Sequence, residues 1–257
     1  MAGAAAISRG ISAAGRIRIV LKIAAMVLAL LACLPLYYLF RPFRIHNPIP
    51  RFFMASLAWL AGIEVSVSGE RTEGGEFIIA NHVSWIDILA IGGGTGSAFV
   101  AHDGLASVPL IRWLCAMNDT VFVSRTVRNG VSAQVANVRE AIRETGALTI
   151  FPEGTTSDGL GLLPFKSSLL SALDPVPAGV AVQPVLIDFG EDAPHIAWIG
   201  EEHGLANFLR ILARARPVRV DVHFLPPLSG GALTNRKTMA AASREAILGE
   251  MQARRGL

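Results

Sequence analysis

Glu76-Phe77-Ile78-Ile79-Ala80-Asn81-His82-Val83-Ser84-Trp85-Ile86-Asp87-Ile88-Leu89-Ala90-Ile91 is the stretch on which the fold turns. Its first five residues are a short apolar run that predicts a buried strand. Ile88 to Ile91 predicts a helix, stopped by Gly92-Gly93-Gly94. His82 therefore stands where a strand hands over to a helix, the place where open α/β sheets bind ligands. Asp87 follows it by five residues, about a turn and a half of helix. If the chain turns between them, the carboxylate reaches the imidazole, holds one ring nitrogen protonated and leaves the other free as a base. That makes two members of a catalytic relay with the nucleophile absent, and the nucleophile can belong to the substrate. A loop histidine beside a helix-start aspartate is the plain alternative.

Outward from this stretch, the chain is apolar for a soluble enzyme. Of its 257 residues 52% are hydrophobic and 17% charged, and the mean hydropathy is +0.47, which points to membrane contact. The formal net charge of +3 is too small to argue for a nucleic-acid partner. Its placement says more. Arg9, Arg16, Arg18 and Lys22 precede the most apolar run, Ile23 to Phe40, and Arg41, Arg44 and Arg51 follow it. Basic flanks of this kind suit the anionic cytoplasmic leaflet.

That apolar run is about long enough to cross a bilayer, and Pro35 inside it predicts a kink. A second, mixed segment from Ile49 to Val65 carries Phe52, Phe53, Trp59 and Ile63. Two helices dipping into one leaflet as a hairpin are expected, with Tyr37, Tyr38 and Trp59 as interfacial anchors; a single span is the competing reading. A cleaved signal peptide is disfavoured, because the apolar run continues past Cys33 and a second apolar helix follows. Cys33 and Cys115 form neither a disulfide framework nor a zinc site, and no metal is expected.

From Glu64 onward, short strands alternate with helices. Strands are expected at Val65–Ser68, Phe77–Ala80, Ser97–Ala101, Thr120–Val123, Leu148–Phe151, Val180–Asp188 and Val218–Phe224. Helices are expected at Val108–Met117, at Ser132–Glu144 closed by Gly146, and at Asn235–Arg255 capped by Asn235. His223 falls on the solvent face of its strand. Two strand ends carry further chemistry. Arg125 follows Val121-Phe122-Val123-Ser124, where an arginine can grip a phosphate or carboxylate. Phe151-Pro152-Glu153-Gly154-Thr155-Thr156-Ser157 makes a tight turn in which Gly154 lets a ligand approach the backbone. Pro164-Phe165-Lys166-Ser167 then opens a helix whose free N–H groups, with Lys166, can hold an anionic head group.

The order Asn81-His82…Asp87, Val121-Phe122-Val123-Ser124-Arg125, Phe151-Pro152-Glu153-Gly154-Thr155 and Val182-Gln183-Pro184-Val185 resembles the four blocks of the glycerolipid acyltransferase family, which includes the bacterial 1-acylglycerol-3-phosphate acyltransferases. The resemblance covers Glu64 to Leu228. It implies an α/β fold, a mixed and mostly parallel sheet flanked by helices, preceded by a membrane-associating helix pair. It also implies transfer of a fatty acyl group from acyl-CoA or acyl carrier protein to a lysolipid hydroxyl, which supplies the missing nucleophile. No cofactor beyond the acyl donor is implied. By the same resemblance His82 is the base and Asp87 its support. Asn81 is expected on the substrate-binding side, where it holds the turn or donates a hydrogen bond. Arg125, Glu153, Gly154 and Thr155, with Lys166, bind the acceptor, and Val182 to Val185 line the acyl side. A thioester is activated enough for a base and an oxyanion donor to suffice without a covalent intermediate.

Two departures bear on the acceptor. The family's third block commonly has arginine where this chain has Thr156, and Ala101-His102-Asp103 lacks a lysine often found there. Thr155 to Gly159 with Pro164 to Leu169 also resembles the branch that acylates lyso-ornithine lipid, whose head group carries a carboxylate and an amine. The first expectation is 1-acylglycerol-3-phosphate as acceptor, giving phosphatidate, and the second is lyso-ornithine lipid. A non-catalytic lipid-binding protein and a lipid hydrolase are the readings from other classes. The expected layout is membrane-associating helices over 1–64, a catalytic domain over 65–230 and a C-terminal helix over 231–257. The expected location is the inner membrane, with the catalytic domain facing the cytoplasm.

Overall fold

The computed structural model describes residues 10–41, 47–72, 75–102, 108–123 and 140–256. Arg9, Arg44, Asp103, Arg125 and residues 132–139 of the expected 132–144 helix lie outside them. Helices α1 (Ala13–Phe40) and α2 (Ile49–Ala61) precede strand β1 (Ile63–Gly69). Then come β2 (Glu76–Ala80), α3 (Ile86–Thr95), β3 (Ala98–His102), α4 (Pro109–Met117) and β4 (Val121–Val123). Residues 140–145 are helical (α5) and lead into β5 (Ala147–Ile150). β6 (Ala181–Asp188), α6 (Ala193–Ile196), α7 (Gly204–Leu212), β7 (Val218–Phe224) and α8 (Arg236–Arg254) complete the chain.

The strands form one seven-stranded sheet in the order β1-β7-β6-β2-β5-β3-β4. Every neighbouring pair is parallel except β6 with β7. β2 lies between β5 and β6 and is buried along its whole length. That explains why its apolar residues run continuously instead of alternating. Ile78 and Ala80 pack into a core with Ile86, Ala90 and Ile91 of α3 and Ala58 of α2. Phe77 and Ile79 pack on the other face with Leu170, Leu173 and Met239 of α8. With helices filling both faces, the turns after β2 and β5 are brought together at the carboxyl ends of two paired parallel strands.

The three glycines do not stop α3. The helix runs through them to Thr95 and ends at Gly96, whose φ of 77° is left-handed. The reason is packing against α2. A β-carbon on Gly92 would lie 2.4 Å from the Met54 sulfur, and one on Gly93 would lie 2.8 Å from the Ala55 backbone nitrogen. At Gly92 and Gly93, α2 lies too close for any side chain.

α1 begins ten residues before the apolar run and continues through Pro35. Lys22 Nζ donates to the Ala61 carbonyl at 2.7 Å, and Asn47 Nδ2 donates to the Tyr37 carbonyl at 3.2 Å. The start of α2 therefore lies by the end of α1, and its end returns to Lys22, which makes an antiparallel hairpin. α1 is long and apolar enough to cross a membrane, and Leu28, Leu31, Leu39, Phe52 and Trp59 are exposed. These features mark membrane association. Met54, Ala58 and Ala61 on the opposite side of α2 are buried.

Two helix-end features follow the sequence closely. Gly146 closes α5 with φ 77°, its N–H donating to the Ile142 carbonyl at 2.7 Å. Asn235 caps α8 in a reciprocal box with Thr238. His223 differs from its expected solvent-facing place. It is half-buried, with Nδ1 2.7 Å from Ser68 Oγ and Nε2 3.5 Å from Glu250 of α8.

Candidate active site

His82 lies in the turn between β2 and α3 and keeps 19% of its side-chain surface. Its Nδ1 is 2.7 Å from Asp87 Oδ2, and Asp87 is fully buried in the first turn of α3. The same oxygen accepts the backbone N–H groups of Val83 at 2.6 Å and Ser84 at 2.9 Å. One carboxylate oxygen thus folds the turn and fixes the imidazole. Its charge also sits well at a helix N-terminus, where unpaired N–H groups concentrate positive potential. An ionised Asp87 accepts from Nδ1–H, so Nε2 carries the free lone pair.

The turn after β5 wraps the same histidine. Phe151 stacks on the His82 ring, with centroids 4.2 Å apart. Glu153 Oε1 accepts the His82 N–H at 2.8 Å, and its Oε2 accepts the Leu163 N–H at 2.9 Å. The Ser157 N–H donates to the His82 carbonyl at 2.7 Å, and the Ser157 hydroxyl reaches the same oxygen at 3.1 Å. Burial pushes the Glu153 carboxyl above its usual range, against the pull of the two backbone N–H groups and the nearby His82.

The expected acceptor-side residues divide into two sets. Gly154 and Thr155 are exposed, and Gly154 has a left-handed φ of 68°. The exposed Lys166 lies over it, its Nζ 3.0 Å from where a β-carbon on Gly154 would stand. The helix expected to open at Pro164 is a short 3₁₀ segment from Ser167 to Leu173 instead, and the Lys166 N–H is taken by the Pro152 carbonyl at 2.8 Å. The second set faces inward. Glu153 is buried against backbone N–H groups. Asn81 is fully buried, its amide donating to the Ile187 carbonyl at 3.0 Å and accepting the Ile187 N–H at 2.7 Å. Asn81 thereby extends the β2–β6 pairing by one rung, an arrangement its place after a strand did not reveal. Arg125 lies outside the described residues. Thr156 donates its hydroxyl to the Trp198 carbonyl.

Sequence reasoning assigned no role to Phe151, Ser157 or Trp198. No local signal marks them, because each acts across a gap of tens of residues. Among the described residues, no cluster of three or more His, Cys, Asp or Glu side chains is arranged to hold a metal ion.

The acyltransferase family model matches residues 63–188, from the first residue of β1 to the last of β6. A lyso-ornithine lipid O-acyltransferase of Rhodobacter capsulatus is 33% identical over 252 residues, spanning 91% of this chain and 90% of that protein. Its namesake from Brucella abortus is 31% identical over 255 residues, spanning 93% and 95%. A 1-acyl-sn-glycerol-3-phosphate acyltransferase of Neisseria gonorrhoeae is 35% identical over 132 residues, spanning 51% of each chain. The crystal structure of the 1-acyl-sn-glycerophosphate acyltransferase PlsC from Thermotoga maritima matches this fold with a TM-score of 0.64 at 21% identity, covering 95% of this chain and 98% of that one. With this likeness along nearly its whole length, and with the site carried on the matched residues, the chain belongs to the acyltransferase family.

Proposed function

We propose that the protein transfers a fatty acyl group from a thioester donor, acyl-CoA or acyl carrier protein, to the free hydroxyl of lyso-ornithine lipid. The observation that carries the acceptor choice is the near-complete coverage by lyso-ornithine lipid acyltransferases, 91% of this chain in the Rhodobacter relative against 51% in the Neisseria one. Thr156 supports it. Where the phosphate-reading pattern commonly has arginine, this chain has a hydroxyl spent on the Trp198 carbonyl. An acceptor with its own amine needs one cation fewer.

In this reading His82 Nε2 takes the proton of the acceptor hydroxyl as its oxygen attacks the thioester carbonyl. Asp87 stabilises the imidazolium that forms. Collapse of the tetrahedral intermediate breaks the C–S bond, and the proton passes from His82 to the departing thiolate. Gly154, Thr155 and Lys166 line the acceptor side, and Arg125 keeps the role that the resemblance gives it. 1-Acylglycerol-3-phosphate is the second reading, favoured by the Lys166 ammonium beside Gly154.

The α1–α2 hairpin lies on the cytoplasmic leaflet of the inner membrane. Its arms are bonded at Lys22 and Tyr37, fifteen residues apart, or about 22 Å along a helix, against about 30 Å for a hydrocarbon core. This supports a hairpin held in one leaflet over a single span. Cysteine labelling near residues 41–50 from the outer side alone would overturn it.

The deciding experiment offers the purified protein both lysolipids with acyl-CoA or acyl carrier protein. Turnover of lyso-ornithine lipid is expected. Turnover of lysophosphatidate alone selects the second reading, and free fatty acid as the main product selects hydrolysis. Unchanged acylation by His82→Ala would overturn His82 as the base, and acylation of neither lysolipid by the intact protein would leave only a lipid-binding role.

A further inference from the structure

We infer that Glu153 is a positioning residue acting through His82, and that it does not touch the acceptor; the inference rests on His82 being the base. The turn after β5 was expected to read the head group. Its acidic side chain is instead buried against the backbone of the two neighbouring loops. Glu153 is 1% exposed. Both of its oxygens are committed, one to the His82 N–H at 2.8 Å and the other to the Leu163 N–H at 2.9 Å.

Burying a carboxylate on neutral donors is costly, and burial pushes the Glu153 carboxyl upward. A side chain placed at that cost has a specific task, and the geometry shows which. His82 is the only residue of its turn that the 151–157 segment holds at three separate points. Glu153 takes its N–H, the Ser157 N–H takes its carbonyl, and Phe151 covers its ring. Asp87 holds the imidazole from the other side. This clamp sets where Nε2 stands relative to a hydroxyl presented beside Gly154.

The second oxygen of Glu153 extends the clamp. Leu163 belongs to the loop before Lys166, and Arg244 of α8 donates to the carbonyls of Leu162 at 3.0 Å and Leu163 at 3.2 Å. Glu153 thus ties His82 to the loop that leads to the exposed Lys166.

The test is steady-state kinetics of the full chain with whichever lysolipid it turns over, at saturating acyl donor, with acceptor concentration and pH varied. A sub-ångström shift of the base is expected to lower kcat of Glu153→Ala by about 100-fold, leaving KM for the acceptor within about threefold. Glu153→Gln keeps one acceptor oxygen and is expected to recover part of the loss. The acid limb of the kcat profile is expected to move in both variants, because the His82–Asp87 contact loosens. A rise of about tenfold or more in KM with kcat unchanged would make Glu153 an acceptor ligand and overturn the inference. So would equal losses in both variants with the pH profile fixed. If Glu153→Ala does not fold, Glu153→Gln and Ser157→Ala carry the same reading, with kcat lowered and KM held. His82→Ala is run alongside. Retained turnover there sinks the base assignment itself, a result separable from every outcome at Glu153.

Discussion

Phe151 lies flat on His82, ring centroids 4.2 Å apart and planes inclined by 16°. Phe99 continues the stack beyond it, 6.1 Å from Phe151 and tilted by 15°. The His82 ring is therefore held by Asp87 in its plane and by an aromatic pillar across its face. Aromatic pairs of this kind contribute about 0.5–1.5 kcal/mol beyond area burial. Phe151→Leu is expected to lower kcat by about tenfold, the equivalent of about 1.4 kcal/mol, and Phe151→Tyr to stay near wild type. A wild-type kcat in Phe151→Leu would show that the stack is not needed to orient the imidazole.

The glycines of α3 give opposite outcomes one residue apart. Alanine at Gly93 meets the Ala55 backbone at 2.8 Å, whereas at Gly94 its nearest neighbour is a Val67 methyl at 3.5 Å. Gly93→Ala is expected to cost about 1–3 kcal/mol by overpacking the α2–α3 contact. Gly94→Ala is expected to gain about 0.5–1 kcal/mol from better helix propensity. Thermal midpoints of the two variants check this, and equal shifts would contradict it.

Asn81 tests whether an inward-facing member of the site matters to stability or to binding. Asn81→Ala leaves the Ile187 N–H and carbonyl unpaired in a buried place, at a cost of about 2–3 kcal/mol. Denaturant midpoints are expected to fall. A fully stable variant with a raised acceptor KM would return Asn81 to the binding site.

The pH dependence of stability has a defined contributor in Asp221. Burial pushes its carboxyl up, but bonds from Arg254, Ser66 and Ser68 outweigh this and hold it below its ordinary value. A carboxylate lowered by folding stabilises the fold above its unfolded pKa. That contribution is lost as pH falls through the lowered folded value. Between pH 7 and pH 3 the wild type is expected to lose thermal stability more steeply than Asp221→Asn. Parallel curves would show that the clasp between β7 and α8 carries no linkage.

The sequence made the strand-to-helix junction at His82, the apolar buried strand before it and the cap at Asn235 legible, because each is written in neighbouring residues. The His82–Asp87 contact was equally local: five residues and one tight turn bring the pair to 2.7 Å. The glycine run misled, since its purpose is the approach of α2, some forty residues earlier in the chain.

By itself, then, the sequence determined the α/β pattern, the two apolar N-terminal segments and the pairing of His82 with Asp87. Tertiary structure decided which way the second set of residues faces. Glu153 and Asn81 sit at strand ends, where ligand binding and backbone capture look alike in one dimension. What separates them is burial and the direction of each polar group, and these depend on which strands become neighbours. Only when β2 lies between β5 and β6 do Glu153 and Asn81 find unpaired backbone groups at His82 and Ile187 within hydrogen-bond reach.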